Sequence, residues 1–192
     1  MKQIIPAIKV FLILTVLTGV IYPLLMTVFG QLVFPTQANG SLIVRDGKTV
    51  GSKLIAQKFA SDKYFWERPS AVDYNPLGSG GSNLGPTSEA LRKAVSDRKD
   101  AIRKSSGLAP DSELPQELIF ASASGLDPEL SPEATEFQID RVAKARGFDQ
   151  EQAARLRQLV AQATLRPDLT LFGEPRVNIL ELNLTLDALA PK

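Results

Sequence analysis

Cysteine and histidine are both absent from the 192 residues. Without cysteine there is no disulfide, no thiolate nucleophile and no Cys-ligated metal. Without histidine there is no Ser-His-Asp triad, no imidazole acid/base chemistry and little scope for zinc. An excess of charge of one sign is lacking too: Lys and Arg total 22 against 21 for Asp and Glu. That balance predicts no affinity for nucleic acid. A cysteine-free outer domain also suits a bacterial periplasm.

Charge is missing altogether from Val10 to Phe34, and the chain is organised around this stretch. About 20 predominantly apolar residues cross a hydrocarbon core as a helix, which satisfies its own backbone hydrogen bonds. The run is too long for the apolar core of a signal peptide, and the cleavage site near Thr36-Gln37-Ala38 is poor. A retained anchor is expected. Lys2, Lys9 and the terminal amine precede the run, and no Lys or Arg follows until Arg45. The positive-inside rule then places residues 1–9 in the cytoplasm, 10–34 across the membrane and 35–192 in the periplasm. Within the run, Pro23 removes a backbone donor and is a site for a kink, with Tyr22 beside it. Thr15, Thr18 and Gly19 form a small, weakly polar patch that lets another helix approach. The plainer alternative is that they face lipid, each Thr bonding back to its own helix.

The remainder is long enough for one domain with its own core. Leu42-Ile43-Val44, Asp46-Gly47 and Thr49-Val50 predict a hairpin on a type I′ turn. Leu54–Phe59 reads as a strand or a helical turn. Tyr64-Phe65-Trp66 serves either the domain's core or a contact surface. Residues 74–87, rich in Gly, Pro and Asn, predict turns and positive φ angles, hence a shaped loop. A classical phosphate loop is not expected there, since no G-x-x-x-x-G-K-[ST] and no Lys occur. Thr87 or Ser88 caps a helix to about Lys104 that Gly107 stops. Leu118–Ala121 is a candidate strand. Ser131-Pro132-Glu133 opens a helix to Arg146, and Asp149 with Gln152 opens a third to about Ala163. From Val177 to Leu186, alternation at Leu182, Leu184 and Leu186 predicts a strand, bulged near Leu180 or buried on both faces. The fold class is therefore a single N-terminal transmembrane helix followed by an α+β extracytoplasmic domain of three helices and a small sheet.

No catalytic constellation emerges. Ser52-Lys53 and Ser61-Asp62-Lys63 lack the partners of a Ser-Lys hydrolase. Asp127 and Glu174 sit in turn-rich loops as paired acids, as helix caps, or as partners of Arg68, Arg141 or Arg176. No D-x-D-x-D-G pattern supports a cation site, so neither catalytic residues nor a metal are assigned. Two readings remain: a subunit of a larger membrane complex, or an independent membrane-anchored periplasmic ligand-binding domain.

Several segments carry a resemblance in order along almost the whole chain. They are Thr18–Leu24, Phe65–Ala71, Tyr74-Asn75-Pro76, Ser79–Pro86, Ala123–Pro128, Ser131-Pro132, Gln138, Arg141–Ala143, Ala145–Gly147, Gly173–Asn178 and Leu182–Leu184. Together these resemble the C subunit of the bacterial Kdp potassium-transporting P-type ATPase. Ala123 departs mildly from the Gly often found there.

The resemblance implies a single-span, non-catalytic inner-membrane subunit of an ATP-driven, high-affinity potassium importer. Its implied partners are a channel-like potassium-binding subunit, a catalytic P-type ATPase subunit, a small single-span subunit and membrane lipid. The complex would use ATP, Mg2+ and K+, none held directly by this chain. The family is credited with supporting assembly and stability and with promoting ATP binding by the catalytic subunit. With the folded domain outside, any effect on cytoplasmic ATP acts through the span. Candidate packing residues of the span are Thr15, Thr18, Gly19, Tyr22 and Pro23. Candidate docking or structural-loop residues are Arg68, Asn75, Ser79, Gly80, Gly81, Ser82, Asn83, Gly85, Pro86, Ser124, Gly125, Asp127, Glu174 and Arg176.

Overall fold

A computed structural model describes residues 3–189; Lys2, used above for orientation, lies outside them. The chain forms two compact units, residues 1–52 and 53–192.

The first unit begins with a helix over Ile4–Val33, long and apolar enough to cross a membrane. It starts before Val10 because Ile4, Ile5, Ala7 and Ile8 continue the helical, mostly apolar character past Lys9. Its parts are α1 (Ile4–Val16), a π-helical turn (Leu17–Ile21) and α2 (Tyr22–Val33). The π turn lies just before Pro23, which has no N–H to give the Gly19 carbonyl; Tyr22 N–H reaches back to Leu17 O instead. A short α3 (Pro35–Ala38) follows. Strands β1 (Leu42–Arg45) and β2 (Lys48–Ser52) pair antiparallel, Arg45 opposite Lys48. The two-residue turn has φ of +52° at Asp46 and +74° at Gly47, as a type I′ turn requires. A register shift falls between Ile43 and Val44.

In the second unit the Leu54–Phe59 segment is neither strand nor helix. Helix α4 (Glu89–Ser106) is capped by Ser88, whose Oγ accepts Leu91 N–H, and stops at left-handed Gly107. The expected strand at Leu118–Ala121 is instead a 3-10 turn over Gln116–Leu118, and Leu118 and Ile119 pack into the core. The single helix expected from Ser131 to Arg146 is two, α5 (Pro132–Glu136) and α6 (Ile139–Arg146). Helix α7 (Gln150–Ala163) has the full capping box of Asp149 and Gln152.

The largest correction is at the end of the chain. Only Arg176–Asn178 is a strand, β5; Ile179–Leu189 is helix α8. Ile179, Leu182 and Leu186 are spaced i, i+3, i+7 and are fully buried, so the 3.6 period overrides the Leu-x-Leu alternation. Asn178 Oδ1 accepts Glu181 N–H, closing the first turn. β5 lies between β3 (Glu129–Leu130) and β4 (Thr164–Leu165), antiparallel to both. α7 packs on α5, α6, α8 and this small sheet. The core is one cluster including Phe65, Leu130, Val142, Leu156, Val160, Val177, Ile179 and Leu182. The second unit is α+β, with five helices rather than three among the described residues.

Candidate docking site

The site is a set of loops held by side chains from distant helices. Residues 61–64 form a turn, with Tyr64 N–H donating to Ser61 O, and the chain from Phe65 onward has no strand partner, so its backbone groups need other acceptors and donors. Asn183 on α8 supplies both for Phe65: Oδ1 accepts its N–H and Nδ2 donates to its carbonyl, each at 2.9 Å. Gln138 does the same for Trp66, accepting its N–H at 2.8 Å and donating to its carbonyl at 3.0 Å. Arg141 donates to the carbonyls of Asp62 and Tyr64 and lies 4.1 Å from the centre of the Trp66 ring. Burial, partly offset by Asp62, lowers its guanidinium to about 10, so it stays charged at neutral pH. Arg146 donates to Lys63 O and pairs with Asp187, which also accepts the Tyr64 hydroxyl. The aromatic triplet therefore serves mainly the domain's interior, with Phe65 fully buried.

This clamped segment delivers Arg68 to the loops. Arg68 Nη1 meets Asp127 Oδ2 at 2.9 Å, joining the two turn-rich segments. Ser122 N–H donates to Pro69 O, and Tyr74 donates its hydroxyl to Arg68 O and its N–H to Ser70 Oγ. Burial pushes the Tyr74 phenol up to about 12, so it remains a donor. Gly80 N–H and Ser79 Oγ both donate to Ser124 O, at 2.8 and 3.0 Å. The two loops are thus stitched together through backbone groups.

Glycine works here by close approach: the positive φ angles expected over residues 74–87 fall at Tyr74 and Asn83, not at Gly80 or Gly81. A Cβ on Gly81 would stand 3.0 Å from Ala123 O, while one on Gly80 has room. Gly125 is the strict position: φ is +68°, and a Cβ would lie 2.7 Å from Val72 Cγ2 and 2.9 Å from Gly80 O. Asp73, just before the 74–87 loop, is left-handed as well.

Glu67 sits beneath the cluster, buried, with Oε2 accepting Gln57 N–H at 2.7 Å. Burial raises its carboxyl to about 8, Gln57 opposes this, and nearby Asp127 adds to it. The group is mostly protonated at neutral pH. Glu67 Oε1, Arg68 Nε and Ser122 Oγ are buried without a hydrogen-bond partner. An open cleft of about 510 Å³ lies at the cluster, its lining including Arg68, Asp127 and three serines together with Leu54, Ile55, Leu126 and Pro128.

The structure gathers Arg68, Ser79, Gly80, Gly81, Ser124, Gly125 and Asp127. Asn75 accepts Leu77 N–H and so shapes the exposed 3-10 turn Pro76–Gly78. Ser82, Asn83, Gly85 and Pro86 continue the exposed rim. Arg176 belongs to the sheet, paired with Glu129 at 3.1 Å and near Asp168. Glu174 is exposed and joins no hydrogen bond or ion pair among the described residues. Asp127 and Glu174 thus take different surroundings rather than forming an acid pair. In the N-terminal helix Thr18 Oγ1 donates to Leu14 O, the back-bond weighed above, and Gly19 borders open space. Thr15, Tyr22 and Pro23 are exposed beside them. Sequence reasoning missed the clamping roles of Gln138 and Asn183, and it missed Glu67. It also missed Leu77, 96% exposed at the tip of the glycine-rich loop, though a Leu between Pro76 and Gly78 was a visible signal.

Among the described residues, one membrane-length helix and two loops stitched together through backbone hydrogen bonds suit a subunit of a membrane assembly. The family model for the K+-transporting ATPase c chain, KdpC, matches residues 4–188. A potassium-transporting ATPase KdpC subunit of Polaromonas naphthalenivorans is 54% identical over 196 residues, covering 100% of this chain and 97% of its own. One from Burkholderia ambifaria is 52% identical over 192 residues, covering 98% and 97%. The chain belongs to the KdpC family, a subunit of the potassium-transporting ATPase.

Proposed function

We propose that this chain helps assemble and stabilise the potassium-transporting complex as a single-span subunit of the inner membrane. The N-terminus lies in the cytoplasm and the α+β domain in the periplasm. The span packs on helices of the catalytic P-type subunit through Thr15, Thr18 and Gly19, with the π turn before Pro23 setting the face presented. The glycine-rich and Asp127 loops dock on the outer face of the channel-like subunit, and the domain shapes the potassium entrance. A small single-span subunit and lipid complete the surroundings. ATP, Mg2+ and K+ serve the complex; this chain holds none of them, and any promotion of ATP binding passes through the span.

The observation that carries the docking reading is the Leu77 turn. It displays an apolar side chain from a loop already fixed by Asn75, Ser79, Gly80 and Tyr74, so little entropy is lost on binding. The test is affinity purification of the carboxyl-terminally tagged chain from membranes in mild detergent. Large polytopic subunits with potassium-stimulated ATPase activity are expected to co-purify. A lone 20.8 kDa chain from cells making the pump would favour an independent anchored binding domain.

A further inference from the structure

A second exposed feature lies apart from the docking loops in sequence. Between β4 and β5 the chain makes a tight excursion tied by a bridge between Asp168 and Phe172. Asp168 N–H donates to Phe172 O at 2.9 Å, and Phe172 N–H returns to Asp168 O at 3.0 Å. The tip carries Leu169, Leu171 and Phe172, exposed by 82%, 81% and 65%. Large apolar side chains this open, so close in sequence, make a protrusion and cost solvation unless something covers them. The backbone is strained to keep them there. Leu169 and Thr170 have φ of +53° and +63°, and a β-branched residue rarely occupies that region.

We propose that this tip inserts into the headgroup and upper acyl layer of the bilayer to which the chain is anchored. This rests on the span reading above. Three observations favour lipid over a protein partner. The three apolar side chains stand exposed, and a bilayer takes them up without a matching pocket. The chain carries its own membrane-length helix, and in sequence residues 34–52 alone lie between it and the second unit. Arg166 is exposed beside the tip and pairs with no carboxylate among the described residues, so it is free for a lipid phosphate. A short apolar tip with a flanking cation and an aromatic ring is the pattern of interfacial insertion.

The absence of cysteine makes the test direct, because Leu171→Cys gives a unique site for a nitroxide label. The full chain would be reconstituted into vesicles of phosphatidylethanolamine and phosphatidylglycerol, and separately within the complete complex. Label accessibility to oxygen and to a water-soluble nickel chelate would be read by electron paramagnetic resonance. Lys104→Cys on α4 is the aqueous reference. The expected result, in both preparations, is oxygen access with loss of nickel access at position 171, and full nickel access at 104. Nickel access at 171 equal to that at 104 in the vesicles would overturn the proposal. So would a label shielded from both reagents in the complex, which would assign the tip to another subunit. Alkaline carbonate separates the two readings. Release of the chain would defeat the span and this proposal together, whereas retention with a water-exposed label would defeat the tip alone.

Discussion

Asn183 closes both hydrogen bonds of the Phe65 peptide, accepting its N–H and donating to its carbonyl across 118 positions of sequence. Both partners are buried, so neither Phe65 group can turn to water. Asn183→Ala leaves a buried donor and a buried acceptor unmade. At about 1–3 kcal/mol for each unsatisfied group, the expected loss is about 2–6 kcal/mol. Denaturant unfolding of the detergent-solubilised chain measures it, and Gln138→Ala is expected to act similarly on Trp66.

Glu67 predicts a pH dependence of fixed sign. Its carboxyl rises from 4.5 to about 8 on folding, so the folded state holds the proton that the unfolded chain releases. The contribution is fully present below about pH 4.5 and is lost as pH climbs through 8, with a limiting slope of about 1.4 kcal/mol per pH unit. Glu67→Gln should remove this slope. Melting temperatures across pH 5 to 9 for both chains provide the check; parallel curves would refute the assignment.

Gly125 and Gly80 make a matched pair. Gly125→Ala adds a methyl at a left-handed φ against Val72 and Gly80 O, whereas Gly80→Ala meets nothing nearer than 3.8 Å. The first should cost about 1–3 kcal/mol and the second little. Thermal melts of the two variants separate them.

Arg68 and Asp127 expose 27% and 31% of their side chains, so their pairing adds little to folding. Asp127→Asn should change stability by under about 1 kcal/mol. It should nevertheless lower the yield of assembled complex, because the pair aligns the two loops. Comparing melting temperature with co-purification yield tests this, and equal proportional losses would make the pair merely structural.

Much of this organisation was legible where the signal is local. Asp46-Gly47 announces its turn, Asp149 and Gln152 their capping box, and Gly107 and Gly147 their helix ends. The C-terminal helix was misread because Leu182, Leu184 and Leu186 also fit a two-residue period. Ile179 and the cap at Asn178 tip the balance only once β5 is seen to stop. Loop glycines were harder still. Gly81 is required by Ala123, which lies far along the chain, and no local rule carries that contact. Nothing near Gln138 or Asn183 announces that each clamps a peptide in residues 65–66.

The proposed docking places the exposed Leu77 tip against another subunit of the complex. Leu77→Asp tests it most directly, because the side chain is 96% exposed and its removal leaves the core untouched. The tagged variant would be purified beside the parent chain from membranes holding the whole pump. The expected result is an unchanged melting temperature with loss of the co-purifying polytopic subunits. Intact complex with normal potassium-stimulated ATPase activity would contradict it.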